Sequence, residues 1–194
     1  MRQSDGGENL MQAANFMKRA ADAGHAGAAN NFGAMLQSGR GVSVNLEQAL
    51  EYYDQAAKTG LAAGLFNVGF MHLHGLATDK APAVARHFFE LAAYKNDIDA
   101  LTHLGRMAMI GEGGPQDPGA ARDYWTKGAR LGDSRCAFNL GIANAGGHGA
   151  EPDFVEAYAW FLAAERLGNM AAVDELKKLQ AVMTDDEVSR ARRR

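Results

Sequence analysis

Between Asn45 and Lys58 the apolar side chains fall at Leu46, Ala49, Leu50, Tyr53, Ala56 and Ala57. Steps of three and four residues make the stripe of an amphipathic helix. The same stripe returns every 36 residues. Ala13, Ala49, Ala85, Ala121 and Ala157 form one column, and Phe16, Tyr52, Phe88, Tyr124 and Trp160 form another. Met17, Tyr53, Phe89, Trp125 and Phe161 hold the next position. Glycines keep the same register at Gly33, Gly69, Gly105 and Gly141, and at Gly39, Gly75, Gly111 and Gly147. No gap is needed, so the chain is a repeat, and its period must be read before its elements.

Each unit predicts two helices. The second is the stripe just described. The first runs from about Ala26 to Ser38 and recurs near 62–74, 98–110, 134–146 and 170–182. Asn45, Asp117 and Asp153 stand where a side chain caps the second helix, with Asp79 as a stand-in before Ala81. Pro82 and Pro118 suit a first helical position, where a missing N–H costs nothing. Gly24, Gly60, Gly132 and Gly168, with Asn96 in the vacant place, suit the left-handed residue that ends a helix. The glycines at 33, 69, 105 and 141 lie inside helices, where each costs about 1 kcal/mol against alanine. Their recurrence implies close approach of a neighbouring helix. The aromatic columns are therefore read as core rather than as a stacking platform for bases. Thr184 and Glu187 have capping-box spacing, predicting a last helix from about Asp185. Residues 1–8 read as a flexible N-terminus, and a helix near 9–22 matches a second helix without its partner. The expected fold is all-α: about four and a half helix-turn-helix units, phased near 26–61, 62–97, 98–133 and 134–169, with a cap over 170–194.

Composition narrows the function. The 194 residues are 47% apolar and 22% charged, with a net charge of −3, an ordinary balance for a folded domain. There is no basic stripe of the kind that tracks a duplex, so no nucleic-acid partner is expected. Arg190, Arg192, Arg193 and Arg194 read as a solvated helix end. No run of about 18 apolar residues is present, so no membrane span is expected. The N-terminus lacks an apolar leader. With a single cysteine and hence no internal disulfide, a cytoplasmic location is expected, or a periplasmic or secreted one had a leader been removed. Cys136 shares a column with Ala28, Gly64, Ala100 and Ala172, which predicts a buried, inert thiol.

Catalytic signatures are missing. The sequence holds no H-E-x-x-H, P-loop, Rossmann fingerprint or G-x-S-x-G. His72 and His74 are two apart and point to different helix faces, so no metal site is expected there. No cofactor and no catalytic residue is assigned.

The columns have a family pattern. Asn31-Phe32-Gly33 leads to Gly39-Arg40-Gly41-Val42, then Ala49, Tyr52, Tyr53, Ala56, Ala57 and Gly60. Asn67-Val68-Gly69 and Asn139-Leu140-Gly141 repeat the first element, and His103-Leu104-Gly105 varies it. Gly41-Val42 gives way to Ala77-Thr78 and Gly113-Gly114 in later units. On these motifs the chain resembles the Sel-1-like repeat family, cousins of the tetratricopeptide repeats, over roughly residues 9–194. The resemblance implies one right-handed α/α superhelical solenoid, with the Asn-x-Gly helices lining its concave side. Groove positions would then lie three before, one after and four after the internal glycine. They are Asn30, Ala34 and Gln37; Phe66, Phe70 and Leu73; Thr102, Arg106 and Met109; Phe138, Ile142 and Ala145; and Asp174, Lys178 and Ala181. The middle units place apolar groups there, implying a scaffold or adaptor that binds a protein or peptide partner, with Arg106 and Arg135 available for a carboxylate. Burial of these residues by tight curvature is the competing expectation. Two other classes stay open. One is β-lactam binding or hydrolysis, described for disulfide-rich members of the family, a feature this chain lacks. The other is an arm of a larger assembly that uses its edges.

Overall fold

The computed structural model describes residues 4–194. Among them all regular structure is helical, in eleven helices and no strand. The chain divides into two compact units between residues 97 and 98, at one of the repeat boundaries.

Unit 1 holds α1 (Ser4–Asp22), α2 (Ala26–Ser38), α3 (Leu46–Lys58), α4 (Ala62–His74) and α5 (Pro82–Tyr94). Within it α2 packs on α3 and α4 on α5, with α1 against α2. Unit 2 holds α6 (Ile98–Ile110), α7 (Pro118–Arg130), α8 (Ser134–Ala145), α9 (Phe154–Arg166), α10 (Ala171–Gln180) and α11 (Asp185–Arg192). Here α6 pairs with α7 and α8 with α9, while α10 and α11 both pack on α9. The helices fall where the stripes predict them. One difference is at the N-terminus: α1 starts at Ser4, so residues 4–8, expected to be flexible, are helical. Residues 1–3 of that expected tail lie outside the described residues.

The helix ends follow the sequence chemistry. Asn45 accepts the Gln48 backbone N–H, Asp117 that of Ala120, and Asp153 that of Glu156. Asp79, expected to stand in before Pro82, does not: α5 begins after Ala81 with no side-chain cap bond. Asn96 takes the left-handed conformation of its glycine column at φ 63°. Ala77 does the same where other loops have glycine, at φ 59°.

Each core is built where a first helix meets the second helix of its repeat. Ala49, Ala85, Ala121 and Ala157 are fully buried, and so, nearly, are Tyr53, Phe89, Trp125 and Phe161. These rings lie directly over Gly33, Gly69, Gly105 and Gly141, where an added Cβ would clash with the ring. The recurring glycine is thus a notch for an aromatic, which offsets its low helix propensity. The neighbouring aromatic column is different. Tyr52, Phe88, Tyr124 and Trp160 are half-buried rather than core, and Phe16 is exposed.

Candidate interaction face

The notch also fixes which way the first helices point. Taking the glycine as the direction of the second helix, each residue adds about 100° around the axis. Positions four after, three before and one after the glycine then lie about 40°, 60° and 100° from the seam. In α4 the residue nearest the seam is the most buried, whereas Gln37, Met109 and Ala145 at the same position of α2, α6 and α8 are half-buried. Leu73, four after its glycine, is only 2% exposed. Phe66 and Phe138, three before, are half-buried, and so are Asn30 and Thr102. Arg106 and Ile142, one after, are exposed, and Phe70 is half-buried. Leu73 is therefore a core residue and not a groove residue: near the helix-helix seam it is covered, whereas Met109 at the same position of α6 is half-buried and lines a cleft. At the equivalent place in α2, Gln37 accepts a hydrogen bond from the buried Tyr53 hydroxyl at 2.7 Å.

In unit 1 the face carries an aromatic run. Phe66 and Phe70 have ring centroids 6.2 Å apart, Phe70 and His74 4.3 Å, and Phe66 packs on the core ring of Phe89 at 5.4 Å. Asn30 is tied down, since its side-chain oxygen accepts from Asn67 on α4 at 2.8 Å. His72 stacks on Phe88, while His74 meets Phe70, so the two histidines do diverge.

In unit 2 the face opens into a cleft of about 350 Å³ lined by Thr102, His103, Arg106, Met109, Ile110 and Trp125. Thr102, Arg106 and Met109 are expected groove positions, and the structure brings them together. Ile110 was not expected there. It is 58% exposed and stands in a column with Ser38, His74, Gly146 and Val182, so no repeat pattern singled it out. Trp125 forms the floor and donates its indole N–H to the Thr102 carbonyl at 3.4 Å. Phe138 packs on Phe161, with centroids 5.5 Å apart, and lies outside the cleft lining.

The two arginines expected to await a carboxylate are already engaged. Arg106 pairs with Glu112 at 2.9 Å. Arg135 bonds Asp99 at 2.7 Å and Asp133 at 2.8 Å. Asp99 and Arg135 occupy the same place in consecutive repeats, so opposite charges on α6 and α8 meet. Burial pushes the Asp133 carboxyl up, but hydrogen bonds from Arg135 and the Cys136 backbone N–H outweigh it and hold it below the usual range. Cys136 is fully buried, with its sulfur 3.3 Å from the Thr102 hydroxyl. Burial pushes its thiol up to about 12, so it stays protonated at neutral pH and is a packing group. Among the described residues no cluster of His, Cys, Asp and Glu is placed to hold a metal ion. None of the described helices is long and apolar enough to cross a membrane.

These features define a class: a helical-repeat protein that presents the outer flank of its glycine-notched helices. The Sel1 repeat family model matches residues 4–25, 26–61, 62–97, 98–133 and 134–169, and the chain belongs to that family. Members of the family are generally protein-interaction scaffolds and generally not catalysts. Among solved structures, a Sel1 repeat protein from Oxalobacter formigenes aligns with TM-score 0.82 and 30% identity, over 95% of this chain and 79% of that one. A protective antigen present in uropathogenic Escherichia coli strains, displaying an SLR fold, aligns with TM-score 0.85 and 24% identity. That alignment covers 93% of this chain but only 39% of the antigen. The cysteine-rich protein B of Helicobacter pylori aligns with TM-score 0.56 and 20% identity, over 69% of this chain and 96% of that one. No curated protein matches the chain.

Proposed function

We propose that the chain is a non-catalytic scaffold that holds a peptide segment of a partner protein in the unit 2 cleft. The observation that carries this reading is the exposed Ile110 beside Met109 and the Trp125 floor, an apolar opening on an otherwise polar helix flank. An apolar side chain of a partner would gain by burial in such an opening. An apolar partner side chain would enter between Met109 and Ile110. A partner carboxylate at the rim would compete with Glu112 for Arg106.

The test is an affinity capture with wild type and an Ile110→Asp, Met109→Asp variant, after circular dichroism shows equal helicity. A captured protein whose retention is lost in the variant, and whose binding peptide is then mapped by cross-linking to Arg106 or Ile110, supports the proposal. Equal retention by both proteins moves the contact to another face and sinks the cleft reading.

A further inference from the structure

The basic run read from the sequence as a solvated helix end divides once it is folded. Arg190 pairs with Asp186 at 3.2 Å, and Arg194 pairs with Glu156 of α9. Arg192 makes no side-chain hydrogen bond or ion pair among the described residues, and neither does Arg166 of α9. Both are exposed, and both line one cavity of about 160 Å³ between α9 and the end of α11. The rest of its wall is largely apolar, with Ala159, the half-buried Trp160 and Ala163 from α9 and Ala191 from α11. At about 100° per residue, Ala159, Trp160, Ala163 and Arg166 fall within about 120° around the axis, so one face of α9 carries both the apolar wall and a cation. Arg166 and Arg192 each stand in the last turn of a helix, where the dipole favours a cation. The dipole accounts for each arginine singly, but not for two of them at one cavity beside an indole.

We propose that this cavity binds a monocarboxylate carried on an aromatic or short aliphatic body, the carboxylate held by Arg166 and Arg192 and the body set against Trp160. A guanidinium takes a carboxylate through paired, directed N–H bonds, and these two have their donors to spare. A cavity of about 150 Å³ is enough to hold benzene, so the space suits one group the size of a side chain. Glu156 sets the charge of the ligand. Three arginines line the cavity, but Glu156 neutralises Arg194 and leaves two cations. A phosphate would bring more negative charge up to Glu156 and leave the apolar wall uncovered. The ligand chemistry is that of a free organic acid or of the last residue of a peptide, whose α-carboxylate and side chain have the same layout. The cavity shares no residue with the cleft proposed above, so neither reading stands or falls with the other.

The chain has two tryptophans, Trp125 and Trp160, so its proton–nitrogen correlation spectrum carries two indole N–H signals, which Trp160→Phe assigns. Phenylacetate titrated into the full chain, tagged only at the N-terminus, is expected to move the Trp160 signal to saturation and to leave that of Trp125 in place. Phenylacetamide, which lacks the charge, and inorganic phosphate, which lacks the body, are expected to move neither at matched ionic strength. Arg166→Gln and Arg192→Gln are each expected to raise the apparent dissociation constant at least about fivefold with helicity unchanged. A tripeptide ending in phenylalanine that binds more tightly than phenylacetate, and loses that advantage when its end is amidated, assigns the site to a peptide terminus. Equal affinity of the two assigns it to a free acid. A Trp160 signal that does not saturate overturns the proposal, as does an equal response to phenylacetamide or phosphate, or an affinity indifferent to both arginine variants.

Discussion

Ala77 sits in the left-handed region at φ 59° where Gly41 and Gly113 stand in neighbouring repeats. A Cβ in that region costs roughly 1–2 kcal/mol, part of which glycine gives back as unfolded-chain entropy. Ala77→Gly is therefore expected to stabilise the protein by up to about 1 kcal/mol, read as a higher urea midpoint. Two helical glycines make the converse pair. A Cβ at Gly105 would run into the indole of Trp125, so Gly105→Ala is expected to destabilise by about 1–3 kcal/mol despite better helix propensity. Gly27 in α2 has nothing within 4 Å of such a Cβ, and Gly27→Ala is expected to gain up to about 1 kcal/mol. Asp133 caps α8 through the Cys136 N–H and holds Arg135. Asp133→Ala is expected to cost about 1–2 kcal/mol at neutral pH. The folded carboxyl titrates below its unfolded value of about 3.9, so its contribution is present above that pH and lost as pH falls through the lower folded value. The stability gap between wild type and Asp133→Ala should thus narrow in acid, as urea titrations on either side of that range would show.

The last helix is the element most dependent on its cap. In α11 the Thr184 hydroxyl accepts the Glu187 N–H, and the Glu187 carboxylate accepts the Thr184 backbone N–H at 2.8 Å. That reciprocal bonding holds Val188 and Ala191 onto the unit 2 core. Eight residues are too few to stay helical alone. Thr184→Ala is expected to cost about 1 kcal/mol, and to appear as faster amide exchange confined to residues 185–192. Exchange that speeds up across α9 as well would show that the cap also closes the array. The first helices teach the same lesson about angle: a shift of one residue past the glycine moves a side chain from the seam toward solvent, as Leu73 and Phe70 show.

At the scale of the molecule, two compact units each carry their own core. In repeat proteins stability is a sum of units and nearest-neighbour contacts, so damage stays local. Leu73→Asp buries a carboxylate and is expected to unfold unit 1, with loss of amide protection centred on residues 62–97. Phe70→Asp, on the half-buried flank, is expected to leave the unit folded. Hydrogen exchange on both variants distinguishes the seam from the face. If both unfold, the flank of α4 is core and unit 1 has no interaction face there.

The 36-residue columns alone determined most of the helices, the caps at Asn45, Asp117 and Asp153, and the burial of Cys136, because each is a local pattern that the repeats restate; that the internal glycines seat aromatic rings was decided by packing. They also revealed the Asn-x-Gly helices as the ones to inspect. Tertiary structure decided which of their residues are open. Leu73 and Phe70 are both apolar, and only the direction of the packed second helix separates them. Arg106 and Arg135 read as free cations along the chain, yet Glu112, Asp99 and Asp133 reach them once the helices pack. That Ile110 flanks a cleft floored by Trp125 depends on how α6 lies on α7. A repeat averages away what distinguishes one unit, so the fold is written in the columns, and the candidate site lies where side chains leave them.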